Sequence, residues 1–327
     1  MANQISIQEK AKTLSELIDY YEICNKAEGK SQKTISWYSS NLRRFHRYLR
    51  SNHLPDSMDN INTKLLREYV LYLMRRKRFD NHPYIAPKNE PLSTATIHGH
   101  VRTLRAFFGW LLREELIEVN LASGLRPPRI TKKVISTLSD DEIRAIVNSL
   151  NPRDPIDARN LAIFMLLLDT GLRISEVTGL KIEDVHTNPG LLKVMGKGKK
   201  ERIVPIGSNA QRVLQRYLFR YRPNPAHLAI DNVFLSTYGR PLTENSIKLI
   251  FARLSQRSGV LRLHAHLCRH TFATRFLING GDVFTLQQIL GHSTLEMVRH
   301  YVNLASNHIA IQHSRFSPVD RLNLHRS

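Results

Sequence analysis

Residues 264–270 read HAHLCRH, three histidines and a cysteine alternating within seven residues, with an arginine among them. Metal binding is the first chemistry such a stretch suggests. On a helix, however, His264 and Cys268 share one face and His266 and His270 another, which splits the ligands into opposed pairs. A structural zinc site needs about four converging ligands. No second cysteine lies nearby, no CxxC occurs, and Arg269 would set a fixed positive charge beside the cation. Anion binding accounts for these residues better. Together with Arg173, Lys197 and His292, the side chains of His266 and Arg269 form a set of donors suited to a phosphate. Arginine forks match phosphate oxygens bidentately. A phosphoryl-transfer transition state gathers charge on its equatorial oxygens, which such donors stabilise. The missing part is a nucleophile. Tyr301, nine residues after His292, carries a hydroxyl that can form a phosphoester. Spacing alone leaves plainer readings open: an Arg173–Glu176 structural ion pair, a solvated GKGKK hairpin tip, and a half-buried core tyrosine.

The elements that must position these groups are mostly helical. In TISWYSSNLRRFHRYLR, Ile35, Tyr38, Leu42, Phe45 and Leu49 recur at helical spacing, with Thr34 as the expected cap. Arg43, Arg44, Arg47 and Arg50 crowd the remaining surface. Another helix is expected over 63–78, ending in RRKR, and a further one from about Ser93, turning Ile97, Val101, Leu104, Phe108 and Leu111 inward. Residues 81–91 hold three prolines and read as a loop. Four helices with basic outer faces would suit a DNA-gripping module, or equally a solvated bundle. LRPPRITKK (125–133) pairs prolines with basic residues and has no period, as an extended linker would. Ser139 and Glu142 then form a capping box that opens a second domain. That domain is expected to hold an apolar helix at 157–169 closed by Thr170-Gly171, a hairpin over 191–206 and a strand at 233–236. Helices at 243–257, 266–278, 282–290 and 294–304 follow, with NGG at 279–281 and Gly291 as breaks.

Composition bounds the partners. Lys and Arg number 48 against 28 Asp and Glu, for a net charge of +20. Residues 1–133 carry 23 basic and 13 acidic side chains and residues 134–327 carry 25 and 15, so each part is +10. The charge is therefore spread over both parts, as expected of a protein whose halves both touch a polyanion such as DNA or RNA. A merely basic protein is the alternative. Cys24 and Cys268 give no disulfide framework, and MANQISIQEKAK is too polar for a secretory leader. The longest apolar run, LAIFMLLL at 161–168, is too short to span a bilayer, so no membrane association is expected.

Four segments together resemble the tyrosine recombinases, the family of phage and transposon integrases and Xer-type resolvases, over roughly residues 10–315. TGLRISE (170–176) is similar to the box supplying the first arginine, which implies that role for Arg173 and a supporting one for Glu176. VMGKGKKERIVPI (194–206) resembles the hairpin carrying the catalytic lysine, here Lys197. HAHLCRHTFAT (264–274) resembles the HxLRHxFAT box, with His266 and Arg269 in the catalytic places. LGHSTLEMVRHYVN (290–303) resembles the closing box, with His292 and the nucleophile Tyr301. Cys268 stands where the family more often has an apolar residue, and a cysteine packs there as a small hydrophobe. His264 and His270 are left as packing or supporting residues.

The resemblance implies a mainly α fold with a small β-sheet, arranged as a two-domain DNA clamp. An N-terminal helical core-binding (SAM-like) domain occupies 1–124, a linker 125–133, and a mixed α+β catalytic domain with a C-terminal tail 134–327. It implies site-specific recombination through a 3′-phosphotyrosyl intermediate, with no cofactor and no metal. The implied partners are double-stranded DNA and other copies of the chain, in a tetramer on two DNA sites with the tail packed on a neighbour. No separate arm-binding domain is expected, and the location is cytoplasmic, at the nucleoid when bound. Arg43, Arg44, Arg47, Arg102, Arg105 and Lys199 are the candidate DNA contacts. A clamp touching about 6–10 phosphates should lose roughly 10³–10⁵ in affinity between 50 and 200 mM salt, which a fluorescence anisotropy titration checks. The alternatives are a type IB topoisomerase-like enzyme and a non-cutting DNA-binding accessory protein.

Overall fold

Helix signals at four places build the first part of the chain. The computed structural model describes residues 13–78, 80, 88–129, 136–196, 200–291, 313 and 317–319. The chain divides into two compact units, Met1–Lys132 and Lys133–Ser327. In the first, α1 (Leu14–Ala27) opens with a capping box: the Thr13 hydroxyl accepts the Glu16 N–H, and the Glu16 carboxylate accepts the Thr13 N–H. Helix α2 (Gln32–Ser51) is capped by Ser31 rather than Thr34, because the Ser31 hydroxyl takes the Thr34 N–H and starts the helix earlier. Helix α3 (Thr63–Arg75) stops short of residue 78. There Lys77–Arg78 (β1) turns extended and pairs antiparallel with Lys88–Pro91 (β2), helped by an Arg78–Glu90 ion pair at 3.0 Å. The expected loop thus holds a short strand at its end, and residues 81–87 lie outside the described residues. Helix α4 (Thr94–Arg113) starts at Ser93. The four helices bury Leu17, Leu42, Phe45, Tyr69, Val101, Phe107 and Trp110 against one another. Each large apolar side chain so buried stabilises by about 1.5–3 kcal/mol.

In the second unit, α5 (Asp140–Asn148) opens with the expected Ser139–Glu142 capping box. Helix α6 (Pro155–Thr170) begins at Asp154, whose carboxylate caps it, with Pro155 in the first turn where its missing N–H costs nothing. Phe164, Leu166 and Leu167 are buried, and the helix ends at Gly171 in the left-handed conformation (φ 63°). A side chain there would meet the Phe272 ring at 2.5 Å, so glycine is required twice over. After α7 (Ile174–Gly179) comes an antiparallel sheet in the order β3 (Val185–His186), β4 (Leu191–Met195), β5 (Glu201–Pro205). The expected hairpin is β4–β5; β3 adds a third strand. Leu192, Val194 and Val204 turn inward, while Met195 and Ile203 face out. Helix α8 (Ser208–Arg216) follows.

The 233–236 segment is not a strand. Only single-residue bridges occur here, Leu235 to Pro241 within it and Asn232 to Lys181 just before it. Pro241 has no N–H to extend a ladder, and Leu235's carbonyl is taken by the buried Arg159 side chain at 3.0 Å. Helix α9 (Glu244–Ser258) packs Ile247, Phe251 and Leu254 into the core beside Leu267 and Cys268 of α10 (Ala265–Ile278). Helix α11 (Val283–Leu290) ends at Gly291, again left-handed (φ 61°). The helix expected at 294–304 lies outside the described residues. Among the described residues no helix is long and apolar enough to cross a membrane.

Candidate active site

The site forms where two helices end. An α-helix leaves its last carbonyls without partners and carries partial negative charge there. At the end of α11 three consecutive carbonyls are answered by three arginines from three other elements. Arg202 Nε of β5 donates to Ile289 O at 2.8 Å, Arg269 Nη2 of α10 to Leu290 O at 2.8 Å, and Arg173 Nη2, at the α7 N-cap, to Gly291 O at 3.4 Å. The end of α6 is drawn into the same cluster, since Arg269 Nη1 donates to Gly171 O at 2.5 Å. Arg269 is 2 % exposed, held by the ends of two helices through both arms of its fork. Positions 171 and 291 must be glycine-like in backbone for those carbonyls to turn this way. At Gly291 a side chain would also press on the Arg202 guanidinium at 3.2 Å.

Glu176 organises the arginines. Its Oε1 accepts from Arg173 Nη1 at 2.9 Å and Arg202 Nη1 at 2.8 Å; its Oε2 accepts from the Arg173 backbone N–H at 2.8 Å and Arg202 Nη2 at 2.9 Å. Burial pushes this carboxyl up, but the Arg202 fork and the Arg173 contacts outweigh it and hold Glu176 below the usual carboxylate range. The pairing expected from sequence, Arg173 with Glu176, is present. Arg202 is the member that sequence reading missed. Its signal was an arginine at an inward-facing position of the β5 alternation, beside buried Val204.

On α10 the His266 and His270 rings meet edge to face, centroids 4.4 Å apart. His266 is open to solvent on one side. Its pKa is lowered by partial burial first, then by Arg269, His264 and Arg173, so it is neutral at pH 7. Burial, with neighbouring His266, takes His270 down to about 4. Cys268 is fully buried, which raises its thiol pKa and leaves it an inert packing group. His264 sets its Nδ1 2.8 Å from the Arg262 carbonyl at the start of the helix. Among the described residues no three His, Cys, Asp or Glu side chains gather as a metal site. Lys197, Lys199, His292 and Tyr301 lie outside the described residues. Lys197 and Lys199 fall in sequence between β4 and β5, where the Gly196 N–H donates to Lys200 O at 2.8 Å, and His292 directly follows Gly291.

The remaining candidates sit in the first unit. Arg43 pairs with Asp19 and Glu22 of α1 at 3.2 and 3.4 Å, which spends much of its charge within the protein. Arg44 Nη1 lies 3.5 Å from His100 Nε2, and Arg47 is exposed on the same helix. Arg102 stacks on Trp37 at 4.8 Å and, with Arg105 and His98, lines a cavity along α4.

Comparison with known proteins identifies the family. Residues 136–308 match the Phage integrase family and residues 16–125 the Phage integrase SAM-like domain. The chain is 30% identical over 295 residues to tyrosine recombinase XerD of Halalkalibacterium halodurans, covering 89% of this chain and 93% of that one. It is 31% identical over 304 residues to tyrosine recombinase XerC of Syntrophus aciditrophicus, with coverage of 89% and 93%. Its fold is similar to that of the XerH site-specific recombinase bound to a palindromic difH substrate (TM-score 0.68, 22% identity, 92% of this chain and 84% of that one). It is also similar to a lambda integrase dimer bound to a COC' core site (TM-score 0.67, 21% identity, 88% and 97%). Two family models in tandem and relatives matched almost from end to end leave one assignment: the chain belongs to the phage integrase family, as a tyrosine recombinase of the Xer type.

Proposed function

We propose that this recombinase binds double-stranded DNA and cuts and rejoins it through Tyr301, in a tetramer holding two sites in the cytoplasm, at the nucleoid. The observation that carries the reading is the cluster of Arg173 and Arg269 at the end of α11, one residue before His292. Two guanidiniums beside a neutral imidazole form a receptor for one phosphate. The Tyr301 oxygen attacks the phosphorus, forming a 3′-phosphotyrosyl bond and breaking the bond to the 5′-oxygen. His266 receives the tyrosine proton and Lys197 supplies one to the departing 5′-oxygen. Arg173, Arg269 and His292 stabilise the charge on the non-bridging oxygens. Attack by a 5′-hydroxyl from a partner strand then displaces the tyrosine. One phosphoester bond forms for each broken, so no nucleotide is consumed. Arg44, Arg47, Arg102 and Arg105, with Lys199 and the charge-compensated Arg43 in lesser roles, supply contacts to the duplex, and the C-terminal tail packs on the neighbouring protomer.

The lowered pKa of His266 fixes a sign. The neutral ring is the form that takes a proton, and it persists above its folded pKa, which lies below the ordinary 6.5. Cleavage should therefore hold above the ordinary imidazole value of 6.5 and be lost as pH falls through the lower folded value. A rate that instead rises on acidification would assign His266 to its protonated form. The reaction type is tested by incubating the protein with two duplexes of different length that share its site. Recombinant-length products support the proposal. Relaxation of supercoiled plasmid on any sequence without exchange favours the topoisomerase-like alternative, and binding without cutting favours the accessory protein.

A further inference from the structure

The four hydrogen bonds that Glu176 accepts saturate its carboxylate, which has about four acceptor sites. Arg202 holds two of them with both arms of its fork, and Arg173 gets one arm and its backbone N–H. The two guanidiniums differ in setting. The Arg202 side chain is 13 % exposed and committed through its third donor to Ile289 O, whereas that of Arg173 is 34 % exposed, its second arm reaching only a long contact to Gly291 O. Two cations on one anion leave one unit of positive charge, and it sits on the partner that faces outward.

We propose that Arg202 is a positioning residue: by clamping and neutralising Glu176 it leaves the charge and the second arm of Arg173 to the scissile phosphate. Without Arg202, the Glu176 carboxylate has two vacant acceptor sites within reach of the Arg173 fork. The bidentate pair is the stronger geometry for an arginine and a carboxylate, so Arg173 rotates inward and its charge is cancelled. Arg202 touches no reacting atom in this account; it acts through Glu176 on Arg173. The inference rests on the proposed role of Arg173.

A non-bridging oxygen can be replaced by methyl, which removes the charge that Arg173 is there to meet. The test uses a half-site duplex made from DNA that the wild-type chain joins covalently in cells, with its scissile linkage either a phosphodiester or a methylphosphonate. Single-turnover cleavage is measured for wild type, Arg173→Ala and Arg202→Met. Arg202→Met should be slower than wild type by on the order of 10²-fold on the phosphodiester, as expected for a displaced catalytic group. On the methylphosphonate its deficit should shrink to a few fold, as for Arg173→Ala. The ratio of the two rates within one preparation does not depend on how much of it is folded. An equal deficit on both substrates, or none on either, overturns the inference. If Arg173→Ala also stays slow on the methylphosphonate, the assignment of Arg173 fails and the inference falls with it. Should Arg202→Met not fold, Arg202→Lys keeps a charge beside Glu176 but cannot hold both its oxygens. It should show the same substrate dependence, a deficit on the phosphodiester that shrinks on the methylphosphonate; an equal deficit on both substrates contradicts the inference.

Discussion

The Arg269→Ala substitution is expected to slow single-turnover cleavage by at least 10²–10³, the loss typical of a single donor aimed at transition-state charge. The expected figure lies toward the upper end because Arg269 has a second duty. Its two arms tie Gly171 O to Leu290 O, and so join the end of α6 to the end of α11. Without them two carbonyls in a buried setting lose their donors, at about 1–3 kcal/mol each. Arg173 follows Gly171 by two residues and His292 follows Gly291, so both shift with those ends. The Arg269→Lys variant keeps the charge but cannot bridge both carbonyls in the fork geometry, and it should recover little of the rate. Stopped-time cleavage assays with a melting curve for each variant separate the two duties. A rate within tenfold of wild type for Arg269→Ala would place the phosphate elsewhere.

The second large effect is on stability. The Glu176→Ala substitution leaves the Arg202 guanidinium buried beside Arg173 with no anion between them. Removing one partner of a buried ion pair costs about 3–5 kcal/mol. For a unit of this size each kcal/mol moves the melting temperature by roughly 2–4 °C, so the catalytic unit should melt about 6–20 °C lower. The pH dependence has a definite sign. The Glu176 pKa is depressed on folding, so its contribution is complete above the unfolded carboxyl pKa, about 4.3, and is lost as pH falls through the lower folded value. The wild-type advantage over Glu176→Ala should therefore narrow in melts taken below about pH 4. An advantage that widens with acid would mean that Glu176 does not carry the pair's charge.

Much of this site was legible because its chemistry is carried by residues close in sequence. Arg173 and Glu176 are a helix N-cap and its third residue, and His266 and Arg269 share one helix face. Gly171 and Gly291 read as helix ends for the same reason that they turn their carbonyls toward arginines: each adopts a positive φ. Arg202 was not legible in that way. The alternation of ERIVPI sets it on the inward side with Val204, but its meaning comes from Glu176, 26 residues away, and from the end of α11. The same limit explains the fold-level corrections. VFLS has the apolar run of a strand, but its backbone is met by single bridges and by Arg159, contacts from elsewhere in the chain. The end of α3 is set by pairing with residues 88–91. Arg43 has the same sequence setting as its neighbours on α2, and only Asp19 and Glu22 of α1, distant in sequence, set it apart.

The measurement that meets the central claim most directly is covalent capture. Wild type and Tyr301→Phe are expressed in cells carrying candidate DNA, the cells are denatured rapidly, the protein is recovered, and the DNA attached to it is sequenced. The account predicts DNA joined to the wild-type chain, enriched for one site, and none on Tyr301→Phe. Equal attachment to both would mean that another residue is the nucleophile. No attachment to either, with the protein folded and the target element present, would contradict a cutting enzyme altogether.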